Sequence, residues 1–217
     1  MIIIKFLLRH FYNISLIIGV ISIISAIIFW KDLTLLQGLA LLNFAVINFH
    51  FFEEFGFPGG FPGFCNTMFA YKDSPAPDRY PLNQLSAFLT NWGTAIVLYL
   101  PPIFFPNMIW FGLAPILFGG VAQLIIHGIY NNILLKSFYN SGLAVVLFGH
   151  VPIAIAYIYY ISVNNLATVW DYVIGTAIMV IWYVVGIRII INKSLEDINS
   201  PYPFDEVEMK KFKRVKI

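Results

Sequence analysis

The residues best suited to chemistry lie close together near the end of one apolar stretch: His50, Glu53 and Glu54, in the run Asn43-Phe-Ala-Val-Ile-Asn-Phe-His50-Phe-Phe-Glu53-Glu54. On a helix both carboxylates fall one turn from the imidazole, at i+3 and i+4. Asn43, seven residues before His50, lies on the same face. Ionisable side chains inside a bilayer are costly and mark functional sites by default. Two adjacent carboxylates at the C-terminal end of a helix, where the dipole is partially negative, call for a compensating positive group. A divalent metal, a cationic His50 or a shared proton would each supply it.

The elements that must position these groups are membrane spans. Of the 217 residues, 59% are hydrophobic and only 11% charged, with a mean hydropathy of +0.80. A soluble domain normally carries roughly a quarter of its residues as charged groups, so this chain cannot clothe a water-soluble surface. The net charge of +2 is not that of a nucleic-acid binder. Cys65 is the only cysteine, which excludes an intramolecular disulfide and a multi-thiolate metal site. The composition predicts an all-α, polytopic helix bundle in a cell membrane.

Polar interruptions divide the chain into about six spans, near 11–30, 34–54, 83–100, 106–128, 141–162 and 168–191. Lys5 and Arg9 precede the first apolar run as in a signal peptide, but the run is long enough to span and reads as a retained helix. Six spans put Lys5, Arg9, Lys72, Arg79, Lys136, Arg188, Lys193 and the tail lysines on one side, and Lys31 alone on the other. The positive-inside rule then places both termini in the cytoplasm. Residues 1–192 read as one membrane domain and 193–217 as a basic cytoplasmic tail, with Lys210 to Lys216 following the acidic Asp205 to Glu208. That basic run reads first as a topology determinant and second as a binder of anionic head groups.

With this orientation the second span ends at the cytoplasmic face, and so does the fourth, at Gln123, His127 and Asn131. The third begins there with Asn83, Gln84 and Asn91, and the fifth with Tyr139 and Asn140. His50, Glu53, Glu54, His127, Asn91 and Asn131 are therefore expected in one half of the bundle. His150, beside Gly149 and Pro152, reads first as a helix–helix hydrogen bonder. The aromatic, Gly/Pro-rich segment from Gly56 to Gly63 and beyond stops the second helix. It is expected either to lie in the interface, capping the site and admitting a lipid-like substrate, or to be a plain connector.

His50-Phe-Phe-Glu53-Glu54 resembles the signature of the HXXEE-domain family of bacterial membrane proteins. In that resemblance His127 is the second histidine. Tyr139-Asn140-Ser141-Gly142 corresponds to the family's Tyr-x-Pro-Gly, with Ser141 in place of proline. The family has no established activity, so the resemblance supports the site and not a reaction.

The leading expectation is an intramembrane enzyme acting on a lipid or other apolar molecule. In its metal form His50, Glu54 and His127 bind a divalent ion such as zinc. Glu53 is the general base, and Asn43, Asn91, Asn131 and Tyr139 bind substrate. In its metal-free form a carboxyl and His50 move protons on the substrate. The alternative is a small proton- or ion-coupled carrier using the same carboxylates, although the chain shows no internal repeat. Haem held by His50, His127 and His150 would leave Glu53 and Glu54 without a role.

Overall fold

The computed structural model describes residues 2–214, and side chains from Ile3 to Phe212; Lys216 of the basic run lies outside the described residues. Six helices are long and apolar enough to cross a membrane: α1 (Ile2–Phe29), α2 (Leu35–Phe55), α3 (Gln84–Phe104), α4 (Ile109–Leu135), α5 (Leu143–Val163) and α6 (Val169–Lys193). No strand occurs among the described residues.

The helix starts follow local capping chemistry. Thr34 caps α2, Asn83 caps α3 and Thr168 caps α6, each in a reciprocal box with Gln37, Ser86 and Asp171. Two boundaries differ from those expected from sequence. The first helix begins at Ile2 rather than near residue 11, because no helix breaker separates Lys5 and Arg9 from the apolar run, and Arg9 pairs with Asp205 of the tail. The third continues through Pro101 and Pro102 to Phe104, where the sequence suggests a break. A proline removes one N–H and clashes with the carbonyl one turn back. Here a π-helical turn, Ala95–Tyr99, immediately precedes the pair and resets which carbonyls face the rings.

α2 is the most enclosed of the six and α6 the least. Around α2, one core cluster joins Leu36 and Leu39 to Leu113, Ile116, Tyr157 and Ile161. A second joins Ile47 and Phe51 to Ala95, Leu98, Tyr99, Phe118 and Ile187. The chain thus puts its His/Glu-bearing helix at the bundle axis, where those side chains are away from lipid.

The connector after α2 is a folded floor. Asn66 clamps it, donating to Pro77 O (2.9 Å) and Leu82 O (2.8 Å) and accepting from Leu82 N at 2.9 Å. Phe61, Cys65 and Phe69 pack beneath the Lys/Arg-rich end of the bundle with Phe11, Phe55 and Leu82. The described part of the tail also packs back. Phe204 is buried in the same cluster, and Lys211 Nζ donates to Phe55 O at 2.9 Å, a cation at the C-terminus of α2.

Candidate metal centre

Three side chains from two helices converge beside α2. His50 Nε2 lies 3.6 Å from Glu54 Oε1, and His127 Nε2 of α4 lies 3.5 Å from the same oxygen. One ligand atom from each of the three falls within 4.8 Å of the others. His50 and His127 are each 1% exposed and Glu54 6%. These separations are too long for charge-assisted hydrogen bonds, which run to about 2.7–2.9 Å. Ligands about 2.0–2.1 Å from a tetrahedral ion stand roughly 3.3 Å apart, close to what is observed.

The hydrogen bonds around the three point the same way. Neither ring nitrogen of His50 makes a hydrogen bond of good geometry, its nearest backbone neighbour being Gly142. His127 Nδ1 is 2.7 Å from Asn140 Oδ1. The Asn140 amide cannot be reversed, because its nitrogen donates to His127 O and to Asn132 Oδ1, both at 2.6 Å. His127 Nδ1 therefore carries the proton, and the Nε2 lone pair faces Glu54. A ligating histidine commonly has its second nitrogen held in this way. Two buried imidazoles with bare nitrogens beside a buried carboxylate are costly without a shared cation.

Glu53, next in sequence to Glu54, has different partners. Its carboxylate accepts from Ala144 N (3.0 Å), Val145 N (2.8 Å) and the Tyr139 hydroxyl (2.8 Å). The N-terminus of α5 has no side-chain cap of its own, so Glu53 satisfies two of its orphan N–H groups and complements the dipole. Burial, reinforced by the bond to Glu53, holds the Tyr139 phenol well above its ordinary pKa.

The segment from Tyr139 to Gly142 ties the cluster to its surroundings. Tyr139 binds Glu53, Asn140 orients His127, and the Ser141 hydroxyl donates to Gly59 O in the connector. Gly142 has φ +104°, and a Cβ there would stand 2.5 Å from His127 Cε1 and 2.8 Å from His50 Cε1. Only glycine fits, for its backbone angle and for the space between the two rings.

Of the remaining residues singled out in the sequence, Asn43 is engaged by His150 Nδ1 at 2.9 Å, on the far side of His50. His150 is close to the centre, its ring centroid 5.9 Å from that of His50. Asn131 lies within 3.5 Å of His127 Nδ1, with its Oδ1 unpartnered. Asn91 is buried and lines, with Glu54, His127 and Gln123, a cavity of about 130 Å³ floored by Phe61, Cys65 and Phe69. The Cys65 thiol is pushed up to about 12, by burial first and by Glu54 second. Sequence reasoning missed Arg188, which enters this cavity from α6. Its signal was present, since an arginine within a span is itself a functional marker, but it served only to set orientation.

Fold and site together define a polytopic helical membrane protein with a buried His–Glu–His centre near one end of the bundle. The model of the family described as "Protein of unknown function with HXXEE motif" matches residues 41–157, more than half of the chain, and the protein belongs to that family. The match begins in α2 and ends in α5, so it contains His50, Glu53, Glu54, His127 and the segment from Tyr139 to Gly142. No curated protein and no solved structure matches the chain.

Proposed function

We propose that the protein is a metal-dependent membrane enzyme of the hydrolase or transferase class, acting on a lipid or other apolar substrate. His50, Glu54 and His127 hold a divalent ion such as zinc. The observation that carries this reading is the spacing of the three ligand atoms, 3.5 and 3.6 Å about one carboxylate oxygen, with no hydrogen bond of good geometry to occupy His50. Three protein ligands leave a fourth position, as in catalytic rather than structural zinc sites. The ion would supply Lewis acidity and an activated water.

The protein's own groups do the rest. Asn140 fixes the His127 tautomer. Glu53, through α5 and Tyr139, fixes the strand of chain that carries Gly142 between the two imidazoles. Asn91 and Gln123 offer polar contacts to a substrate in the cavity, with Thr90, Arg188 and Asn192 on the α3 and α6 walls and aromatic and aliphatic side chains over much of the rest. Glu53 is engaged by three donors, which leaves the second Glu54 oxygen as the carboxylate oxygen at the centre that could accept a proton if an ion were bound. The Lys/Arg bias supports a cytoplasmic position for this end of the bundle.

The test is elemental analysis of protein purified in detergent without chelators, for wild type, Glu54→Gln and His127→Ala. One divalent ion per chain in the wild type and a large loss in both variants is the expected result. Wild type free of metal, and unable to take up added zinc, cobalt or manganese, overturns it. pH-driven flux in liposomes would then favour a proton-coupled carrier.

A further inference from the structure

Three cavities adjoin at the Lys/Arg-rich end of the bundle. The central one holds Glu54 and His127. It shares Arg188 and Asn192 with a larger cavity of about 420 Å³ whose walls include Lys193 and Glu196, beyond the site toward the chain ends of α6. On its other side it shares Phe118, Ile126 and Tyr183 with an almost wholly apolar recess of about 320 Å³ between α4 and α6. That recess is lined by Ile125 and Val180, both of which are exposed on the outer face of the bundle, where a bilayer would lie. Shared walls thus set a cationic mouth, the candidate metal centre and an apolar opening on the lipid side in one line.

The spacing suits one kind of molecule. Arg188 and Met179, at the two ends of that line, are nine residues apart on α6, at most about 13 Å along the axis because the stretch from Trp182 is π-helical. That is a fraction of one acyl chain, with the cation at the interface and the recess nearer the bilayer centre. Arg188 makes no hydrogen bond or ion pair among the described residues. An unpaired guanidinium within a span is a ready partner for a phosphate, which it can grip with two N–H groups. Lys193 adds a second cation, against the single carboxylate of Glu196.

We propose that the three cavities together bind one anionic phospholipid. The phosphate sits at Arg188 and Lys193, one acyl chain enters the recess between α4 and α6, and the linkage between them lies beside Glu54 and His127. This names the substrate class for the metal centre and rests on that reading for its chemistry, but not for the binding itself.

The experiment uses the full chain in phosphatidylcholine nanodiscs, doped with phosphatidylglycerol that carries a photoreactive diazirine in its acyl chain; crosslinks are mapped by mass spectrometry. Labelling is expected to concentrate on 122–126 and 179–183. It should fall roughly tenfold in Arg188→Gln, as expected for loss of a charge-assisted contact, and also in Val180→Trp, which fills the recess and leaves the arginine in place. It should persist in Glu54→Gln. The proposal is overturned by labelling spread evenly over the bundle, by equal labelling from diazirine phosphatidylcholine, or by no response to either substitution. Abolition by excess inorganic phosphate would assign the cations to a soluble phosphate compound and would also overturn it. Metal content is measured on the same samples. Focused labelling without metal refutes the enzyme reading alone, and metal without focused labelling refutes the lipid alone.

Discussion

Glu53 and Glu54 are neighbours in sequence, yet their carboxylates belong to different parts of the molecule. Glu54 Oε1 stands 3.5–3.6 Å from two bare imidazole nitrogens, whereas Glu53 takes the first N–H groups of α5 and the Tyr139 hydroxyl. Successive residues on a helix point about 100° apart, so at the crowded axis of the bundle one faces α4 and the other the start of α5. Doubling the acid therefore does not double the candidate ligand set; one carboxylate faces the two imidazoles and the other serves the fold.

That division is testable by paired substitutions. Glu53→Gln keeps one acceptor oxygen but loses the charge that binds two backbone N–H groups. It should lower stability by about 1–3 kcal/mol, read as a lower thermal midpoint in detergent. Glu54→Gln should leave the metal-free protein at least as stable as wild type, because it removes a buried carboxylate that has no hydrogen bond, and should abolish metal uptake. Equal destabilisation by both would return Glu54 to a structural role.

Gly142→Ala should disable the centre without touching a ligand. The positive φ alone costs an ordinary residue about 1–2 kcal/mol, and the added methyl would press both His127 and His50. The expected outcome is a folded protein with sharply reduced metal content, checked by circular dichroism and elemental analysis on one preparation.

Asn140→Ala should free the His127 ring to turn and to change tautomer. Loss of such a supporting hydrogen bond typically costs about 10–100-fold in metal affinity, measurable by competition with a chelator. Asn140→Asp keeps the acceptor toward Nδ1 and should lose less.

Cys65 lies against the central cavity, yet it should be inert. With its thiol pushed up to about 12 by burial and by Glu54, the thiolate fraction at pH 8 is roughly one in ten thousand. A maleimide should label it only after unfolding; rapid labelling of the folded protein would mean that the carboxylate and arginine around it are arranged otherwise.

The docked tail should respond to pH through Glu208. Burial, ahead of its neighbours, raises the Glu208 carboxyl above its ordinary value. A carboxyl whose pKa is raised in the folded state binds its proton more tightly there. Its contribution is therefore full below the ordinary Glu value and is lost as pH rises through the raised one. Amide exchange across 205–212, corrected for intrinsic rates, should show stronger protection on the acid side of that window. Glu208→Gln should abolish the difference.

How far the sequence reached can be seen residue by residue. Six spans were legible because lipid admits few backbone solutions, and each needs an apolar run of fixed length. His50 with Glu54 was legible because an i, i+4 pair is fixed by one helix, whatever surrounds it. His127 followed from orientation, since the Lys/Arg bias brings the ends of α2 and α4 to the same side. Helical periodicity could not say which of two adjacent carboxylates meets His127, nor that Asn43 is engaged by His150. Those outcomes depend on how α4 and α5 rotate about α2, and many small packing contacts set that rotation. Pro101 and Pro102 likewise read as a stop until the π-helical turn ahead of them is seen. The sequence by itself determined a helical membrane bundle with a His/Glu cluster at one end. Tertiary structure alone decided that Gly142 parts the two imidazoles, that Glu53 caps α5, and that Arg188 opens onto the site, because each is a contact between residues distant in the chain.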